Sequence, residues 1–331
     1  MARVVEQGSV PARSRSACPD GLRSHRAAVI GSDDELLAGV LPYAEEGLRR
    51  GDLVVLSCPP ETAELIGGAL GERARAVESD PRLCLLGSNV PDSITATGEL
   101  VERAGGAGSG ALRVVGQVQF GAEARNWREG LRYESAVNDL LVAQPVAALC
   151  LFDRRVLPAE VVAGAAATHP ELQSGSRSYP SPAYQDPVEF VRTLPLPREA
   201  IEDGAPRFAV DASPSLVALR HALRAALAAC VPDENQSADL QFAVSEIAAN
   251  AFRHGAPPIS ARLWADPERV VCTVTDRGRG FDEPFAGFRP AHGEDLSRGG
   301  MGLWLARKLW DHVDLLPAGP GLTVRLSTRL R

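Results

Sequence analysis

Three short segments in the last third of the chain combine residue types that suit nucleotide chemistry. The first is Glu246-Ile-Ala-Ala-Asn250, followed by His254-Gly255. On a helix, Glu246 and Asn250 lie one turn apart on the same face, beside an apolar face formed by Leu240, Val244 and Ile247. A carboxamide oxygen is a neutral ligand for Mg²⁺, and a neighbouring carboxylate can take a proton from an attacking hydroxyl. The second segment, Asp276-Arg277-Gly278-Arg279-Gly280, ends the β-branched run Val270–Thr275. An acidic group there can accept from an exocyclic amine such as that of adenine. Gly278 and Gly280 let the backbone approach a flat ring. The third segment, Gly299-Gly300-Met301-Gly302-Leu303, opens a helix, where free N–H groups and the helix dipole favour phosphate. Each segment alone is also compatible with an ordinary turn or a solvated helix face.

The elements that must position these segments follow from periodicity. A first helix is expected from Ser213-Pro214, a Ser cap with Pro at the first helical position, carrying Leu216, Leu219, Leu223 and Leu227. A second helix starts near Ser237 and carries Glu246 and Asn250. Strands at 259–265 and 269–276 form a hairpin around Asp266-Pro267. A helix over 301–312 and strands at 313–316 and 322–330 complete a two-layer α/β sandwich with one sheet and one helical layer.

In order and spacing the segments resemble the N, G1 and G2 boxes of Bergerat-type (GHKL) ATPases. Ser245-Glu246 through His254-Gly255, together with Gly321-Leu322-Thr323, is similar to the branch of anti-sigma-factor Ser/Thr kinases. The resemblance covers 210–331. It implies ATP and Mg²⁺ as cofactors, Glu246 as the general base and Asn250 as the Mg²⁺ ligand. It places Asp276 on the adenine amino group with help from Thr323. Gly278 and Gly280 would shape the adenine pocket, while Gly300, Met301 and Gly302 would cradle the phosphates. Arg279 and residues 281–298 would form a lid, and His254 is read as a helix-end residue. The implied partners are a sigma factor and a STAS-type anti-anti-sigma protein carrying the phosphorylated Ser or Thr. Two other readings stay open: a non-catalytic, nucleotide-dependent binding module, and a histidine-kinase-like signalling protein. Against the latter, the six histidines are followed by Arg26, Pro170, Ala222, Gly255, Gly293 and Val313, none of them acidic as in a phospho-accepting motif.

The first half alternates strand-like runs (27–30, 52–57, 82–86, 112–118 and 146–153) with amphipathic stretches such as 61–70 and 129–141. Ser32 is read as the cap of the helix bearing Leu36, Leu37, Val40 and Leu41. The alternation predicts a three-layer α/β domain with a largely parallel sheet. The turn Gly31-Ser32-Asp33-Asp34 lacks the Lys of a phosphate-binding loop, so this domain is not expected to hydrolyse ATP. The runs from His25, Tyr43, Cys150 and Thr168 resemble the MEDS sensory domain, a degenerate RecA-like fold, over 24–193. That family is thought to sense small molecules. His25, Asp153 and His169 stand at strand or helix ends, where a sensory pocket would open; capping of local backbone is the plainer reading. Their separation in sequence carries no geometry for a metal site.

Residues 1–23 are expected to be a disordered arm without the apolar core of a secretory signal. Residues 194–209 are read as a Pro-rich linker, the end of an extended connector that begins at His169 and carries a short helix near 188–192. A net charge of −7 argues against nucleic acid as the main partner. No run approaches the length of a membrane span, and the six scattered cysteines are read as reduced thiols of a cytoplasmic protein. Homodimerisation is left open.

Overall fold

The computed structural model describes residues 24–85, 88–106, 108–290 and 301–331. Its first sheet has the order β3-β2-β4-β5-β1-β6-β7. The strands are β1 (Ser24–Ile30), β2 (Leu53–Ser57), β3 (Val77–Ser79), β4 (Leu112–Gln117), β5 (Val146–Asp153), β6 (Glu171–Ser174) and β7 (Arg177–Pro180). All neighbours run parallel except β6 and β7.

Strand alternation divides the apolar side chains between two faces. Ala28, Ile30, Val54, Leu56, Leu149 and Leu151 pack with Leu36, Val40 and Ile66 from α1 (Asp33–Arg50) and α2 (Pro60–Leu70). Val55, Leu112 and Val114 pack with Ala96 and Leu100 of α3 (Val90–Gly105). Ala27, Cys150 and Phe152 pack with Val161 and Ala165 of α5 (Ala159–Thr168), joined by Trp127 and Leu131 of α4 (Ala124–Leu140). Ser32 caps α1 by accepting from the Glu35 N–H, and Gly51, at φ 77°, closes the helix in the left-handed region.

Three boundaries differ from the sequence reading. Pro81–Cys84 forms a 3₁₀ helix, not a strand, because Asp80 accepts from the Arg82 N–H and Pro81 occupies the first helical position; Leu86 lies outside the described residues. The stretch after His169 is not simply a connector. It supplies the β6–β7 hairpin, while the short helix expected near 188–192 is present as α6 (Pro187–Thr193), capped by Asp186. The helix expected to be capped by Ser213 is capped by Ser215 instead, whose Oγ accepts from the Ala218 N–H.

The second sheet is antiparallel, in the order β11-β12-β10-β9-β8. Its strands are β8 (Phe208–Val210), β9 (Ser260–Ala265), β10 (Arg269–Thr275), β11 (His312–Ala318) and β12 (Gly321–Arg329). Thus β8 takes the last residues assigned to the linker. One face of the sheet carries Leu263, Cys272, Val274, Val313 and Leu326. It packs on α7 (Leu216–Cys230), α8 (Glu234–His254) and α9 (Gly302–Leu309).

The other face is polar and also buried. Asp314, Arg325 and Ser327 are each 1% exposed. Arg128 of α4 donates to Asp314 Oδ1 at 2.8 Å, and Arg325 donates to Asp314 Oδ2 at 2.7 Å and to Glu202 at 3.1 Å. Arg125 donates to Ser327 Oγ at 2.7 Å. Burial opposes ionisation of Asp314, but Arg128, Arg132 and Arg325 outweigh it and hold the carboxyl below its usual range. The two domains therefore meet across a closed, charge-paired surface.

Candidate functional site

Helix α8 buries Leu240, Val244, Ile247 and Ala251 against the second sheet. That orientation leaves Glu246 and Asn250 on a half-buried flank. Asp233 starts the helix by accepting from the Gln236 N–H, a turn earlier than the sequence suggests. Glu246 lies 3.5 Å from Arg220 on α7. A Cβ on Gly302, the first residue of α9, would come within 2.7 Å of Asn250 Nδ2 and 3.3 Å of Glu246 Cβ. The start of α9 is thus seated on the carboxylate–carboxamide pair, and a side chain at 302 would push the Asn250 carboxamide aside. Met301 is the N-cap and makes no side-chain cap bond, so its side chain does not compete with an anion for the first N–H groups of α9.

Asp276 follows β10 and is 7% exposed. Its Oδ1 accepts from the Gly278 N–H at 2.6 Å. Glycines surround it. A Cβ at Gly255 would lie 2.4 Å from Asp276 Cγ, one at Gly278 2.9 Å from Oδ1, and one at Gly321 2.0 Å from the Asp276 carbonyl oxygen. Gly280 adopts φ 74°, which turns the chain after the acidic residue. Thr323 faces Thr275 in the β10–β12 ladder, with their hydroxyl oxygens 2.7 Å apart. Its hydroxyl therefore bonds Thr275 and not the Asp276 carboxylate. His254 is exposed at the last turn of α8, and Arg279 is exposed as well.

Gly300 and residues 291–298 of the expected lid lie outside the described residues. The start of that segment is anchored elsewhere than over the site. Phe285 and the fully buried Phe288 pack with Val90, Ile94 and Tyr133 of the first domain. Arg307 of α9 donates to the Ala286 carbonyl at 2.8 Å, and Asp282 pairs with Arg192 at 2.6 Å.

In the first domain His25 and His169 come together, with ring centroids 4.0 Å apart. Asp153 does not join them. It accepts from the Arg155 backbone and side chain at the carboxyl end of β5. Glu134 and Cys150 take its place: Glu134 Oε2 is 3.3 Å from Nε2 of both histidines, and Cys150 Sγ is 3.4 Å from His25 Nε2. Burial raises the Glu134 pKa, but the contacts of His169 and His25 bring it to about 2; burial, then the neighbouring His25, lowers His169 to about 4. Sequence reasoning passed over Glu134 and Cys150, because one sits in an amphipathic helix and the other in a core strand. It also assigned no contact role to Gly255 or Gly321, whose need for glycine appears only when Asp276 is placed beside them.

Two domain-family models match the chain. Residues 24–170 match the MEDS model, described as a methanogen/methylotroph DcmR sensory domain, and residues 208–328 match the histidine kinase-like ATPase domain. The chain thus joins a MEDS domain to an ATPase domain of the GHKL type.

Among individual proteins it is similar to the serine-protein kinase RsbW of Bacillus velezensis, 33% identical over 103 residues, which is 28% of this chain and 64% of that kinase. RsbW of Bacillus subtilis (strain 168) gives the same identity and coverage. The chain therefore spans just under two thirds of these relatives. Among solved structures, the RsbU and RsbW domains of a Mycobacterium tuberculosis protein align with TM-score 0.26 and 23% identity, over 37% of this chain and 31% of that one. The mycobacterial sensor histidine kinase MprB aligns with TM-score 0.24 and 22% identity, over 30% of this chain and 77% of that one.

Proposed function

We propose that this protein is an ATP-dependent Ser/Thr protein kinase of the anti-sigma type, governed by its N-terminal domain. The observation that carries the reading is the seating of Gly302 on Glu246 and Asn250. It brings together a proton acceptor, a neutral oxygen ligand and the N–H groups that open α9. Asp276 accepts from the adenine amino group in its glycine-lined niche. Asn250 offers its carboxamide oxygen to Mg²⁺, which neutralises charge on the phosphates when bound. Glu246 takes the proton of the partner's Ser or Thr hydroxyl as that oxygen attacks the terminal phosphoryl group. The phosphate then adds charge to the partner and breaks its contact with the kinase. A STAS-type anti-anti-sigma protein is the proposed substrate and a sigma factor the alternative ligand, in the cytoplasm. Among the described residues no helix is long and apolar enough to cross a membrane.

The structural basis for regulation is continuity. The segment leading into the α9 loop is packed on α3 and α4 of the first domain through Phe285 and Phe288. A signal that moves those helices biases the nucleotide loop. A second reading, a nucleotide-dependent docking module without transfer, is favoured by the Arg220–Glu246 pair, which engages the carboxylate. The test is incubation of the full chain with Mg-ATP and a STAS protein encoded beside it, followed by phosphosite mapping. Acid-stable phosphate on a Ser or Thr of the partner supports the kinase. Nucleotide binding without transfer establishes the docking module, and acid-labile phosphate on this chain overturns both.

A further inference from the structure

The interior of the MEDS domain holds a polar cluster that the ATP chemistry does not use. His25 comes from β1, Cys150 from the adjacent β5, Glu134 from α4 and His169 from the residue after α5. Their ligating atoms all lie within 4.8 Å of one another, and all four residues are buried. His169 is 0% exposed, and its Nε2 has no hydrogen-bond partner although Glu134 Oε2 is 3.3 Å away.

The tautomers explain that spacing. His169 Nδ1 lies 3.0 Å from the Ala165 carbonyl oxygen, which can only accept, so Nδ1 carries the proton. His25 Nδ1 lies 3.0 Å from Asn138 Oδ1, and the Asn138 amide is oriented by donating to the Thr168 carbonyl at 2.7 Å. That side chain too presents an acceptor to Nδ1. Both Nε2 atoms therefore face the Glu134 carboxylate. With the Cys150 sulfur they converge on one buried space. A cation placed there would be reached by all four side chains.

We propose that His25, Glu134, Cys150 and His169 form a four-ligand site for a zinc-class divalent transition metal. Tetrahedral zinc with imidazole, carboxylate and thiolate ligands sets neighbouring donor atoms about 3.3–3.6 Å apart. The two N···O separations here are 3.3 Å, longer than ordinary hydrogen bonds, and the S···N separation is 3.4 Å. The outer contacts are those of a metal-binding histidine, each ring donating its other N–H to a fixed oxygen. On binding, Cys150 coordinates as the thiolate and releases its proton to water.

The site is tested on the full chain, expressed with added zinc, passed over a chelating resin and assayed by elemental analysis. A parallel preparation carries cobalt. The wild type retains one metal ion per chain, and the cobalt form shows tetrahedral d–d bands with a thiolate charge-transfer band. Cys150→Ala removes the charge-transfer band and the stoichiometric metal while circular dichroism keeps the fold. Asn138→Ala weakens affinity about 10–100-fold, the effect of losing an outer-shell partner. Glu134→Gln loses metal as well; if it does not fold, the Cys150 and Asn138 variants still decide. Wild-type protein without stoichiometric metal overturns the proposal, and so does equal retention by wild type and Cys150→Ala.

Discussion

The ATPase domain carries two acidic constellations on opposite sides of one sheet, and their surroundings differ. Glu246 sits on the helical side, half-buried, with a single arginine at 3.5 Å. Asp314 sits on the polar side, 1% exposed, fixed by Arg128 and Arg325 at 2.8 and 2.7 Å. The first is open enough to receive a substrate hydroxyl. The second is enclosed by its cations and has no room for one. An open carboxylate held by few partners is available for chemistry, whereas a closed, fully paired one joins elements. Removing each should therefore damage a different property.

The largest expected effect is at Glu246. Glu246→Gln keeps the shape and removes the proton acceptor, so phosphoryl transfer falls by about 10²–10⁴-fold while nucleotide binding and melting temperature stay near wild type. Transfer assays beside calorimetric ATP titration check this, and retained transfer would move the base elsewhere. Asp314→Asn should do the reverse. It leaves two buried guanidinium groups short of a counter-charge, at a cost of about 3 kcal/mol or more in stability, read by denaturant unfolding. Little loss there would mean that water enters the interface.

Gly321→Ala tests the boundary between the two behaviours. The new Cβ would lie 2.0 Å from the Asp276 carbonyl oxygen, so the strand must shift. About 1–3 kcal/mol of destabilisation is expected from such overpacking, together with weaker ATP binding as Asp276 moves. The last effect is graded by pH and arises at His312, near the closed side. Burial, then the charge of Arg125, lowers its pKa from 6.5 to about 3. The unfolded chain binds this proton first. The contribution to stability is therefore complete above pH 6.5 and declines as pH falls toward 3, at up to about 1.4 kcal/mol per pH unit. His312→Gln should flatten that slope in unfolding measured across pH 4–7.

The legibility of the sequence follows the same division. Glu246 and Asn250 share a helical turn, and Asp276, Gly278 and Gly280 occupy one loop, so local spacing alone brings together most of the candidate site. The hydroxyl partner of Thr323 was not legible, because Thr275 faces it only through strand register. The closed constellations are non-local. Glu134 and Cys150 meet His25 and His169 only after a parallel sheet brings β1 beside β5 and α4 crosses it. Arg128 meets Asp314 across a domain boundary. Polar residues in an amphipathic helix read as solvated until the partner surface is known, and the Arg128–Asp314 pair is buried by that partner. The β6–β7 hairpin was hidden by Pro-rich composition, since Pro170 and Pro180 flank short strands instead of breaking them.

The covered polar face also limits how far either half can be treated as a portable cassette. A kinase-like domain separated near residue 208 would carry Asp314, Arg325 and Phe288 on a surface that had been interior, and would leave Arg128 and Tyr133 bare on the other fragment. Each piece would inherit an exposed seam. For this chain, the unit that can be transplanted into another protein is the pair of domains with the 194–207 strap between them.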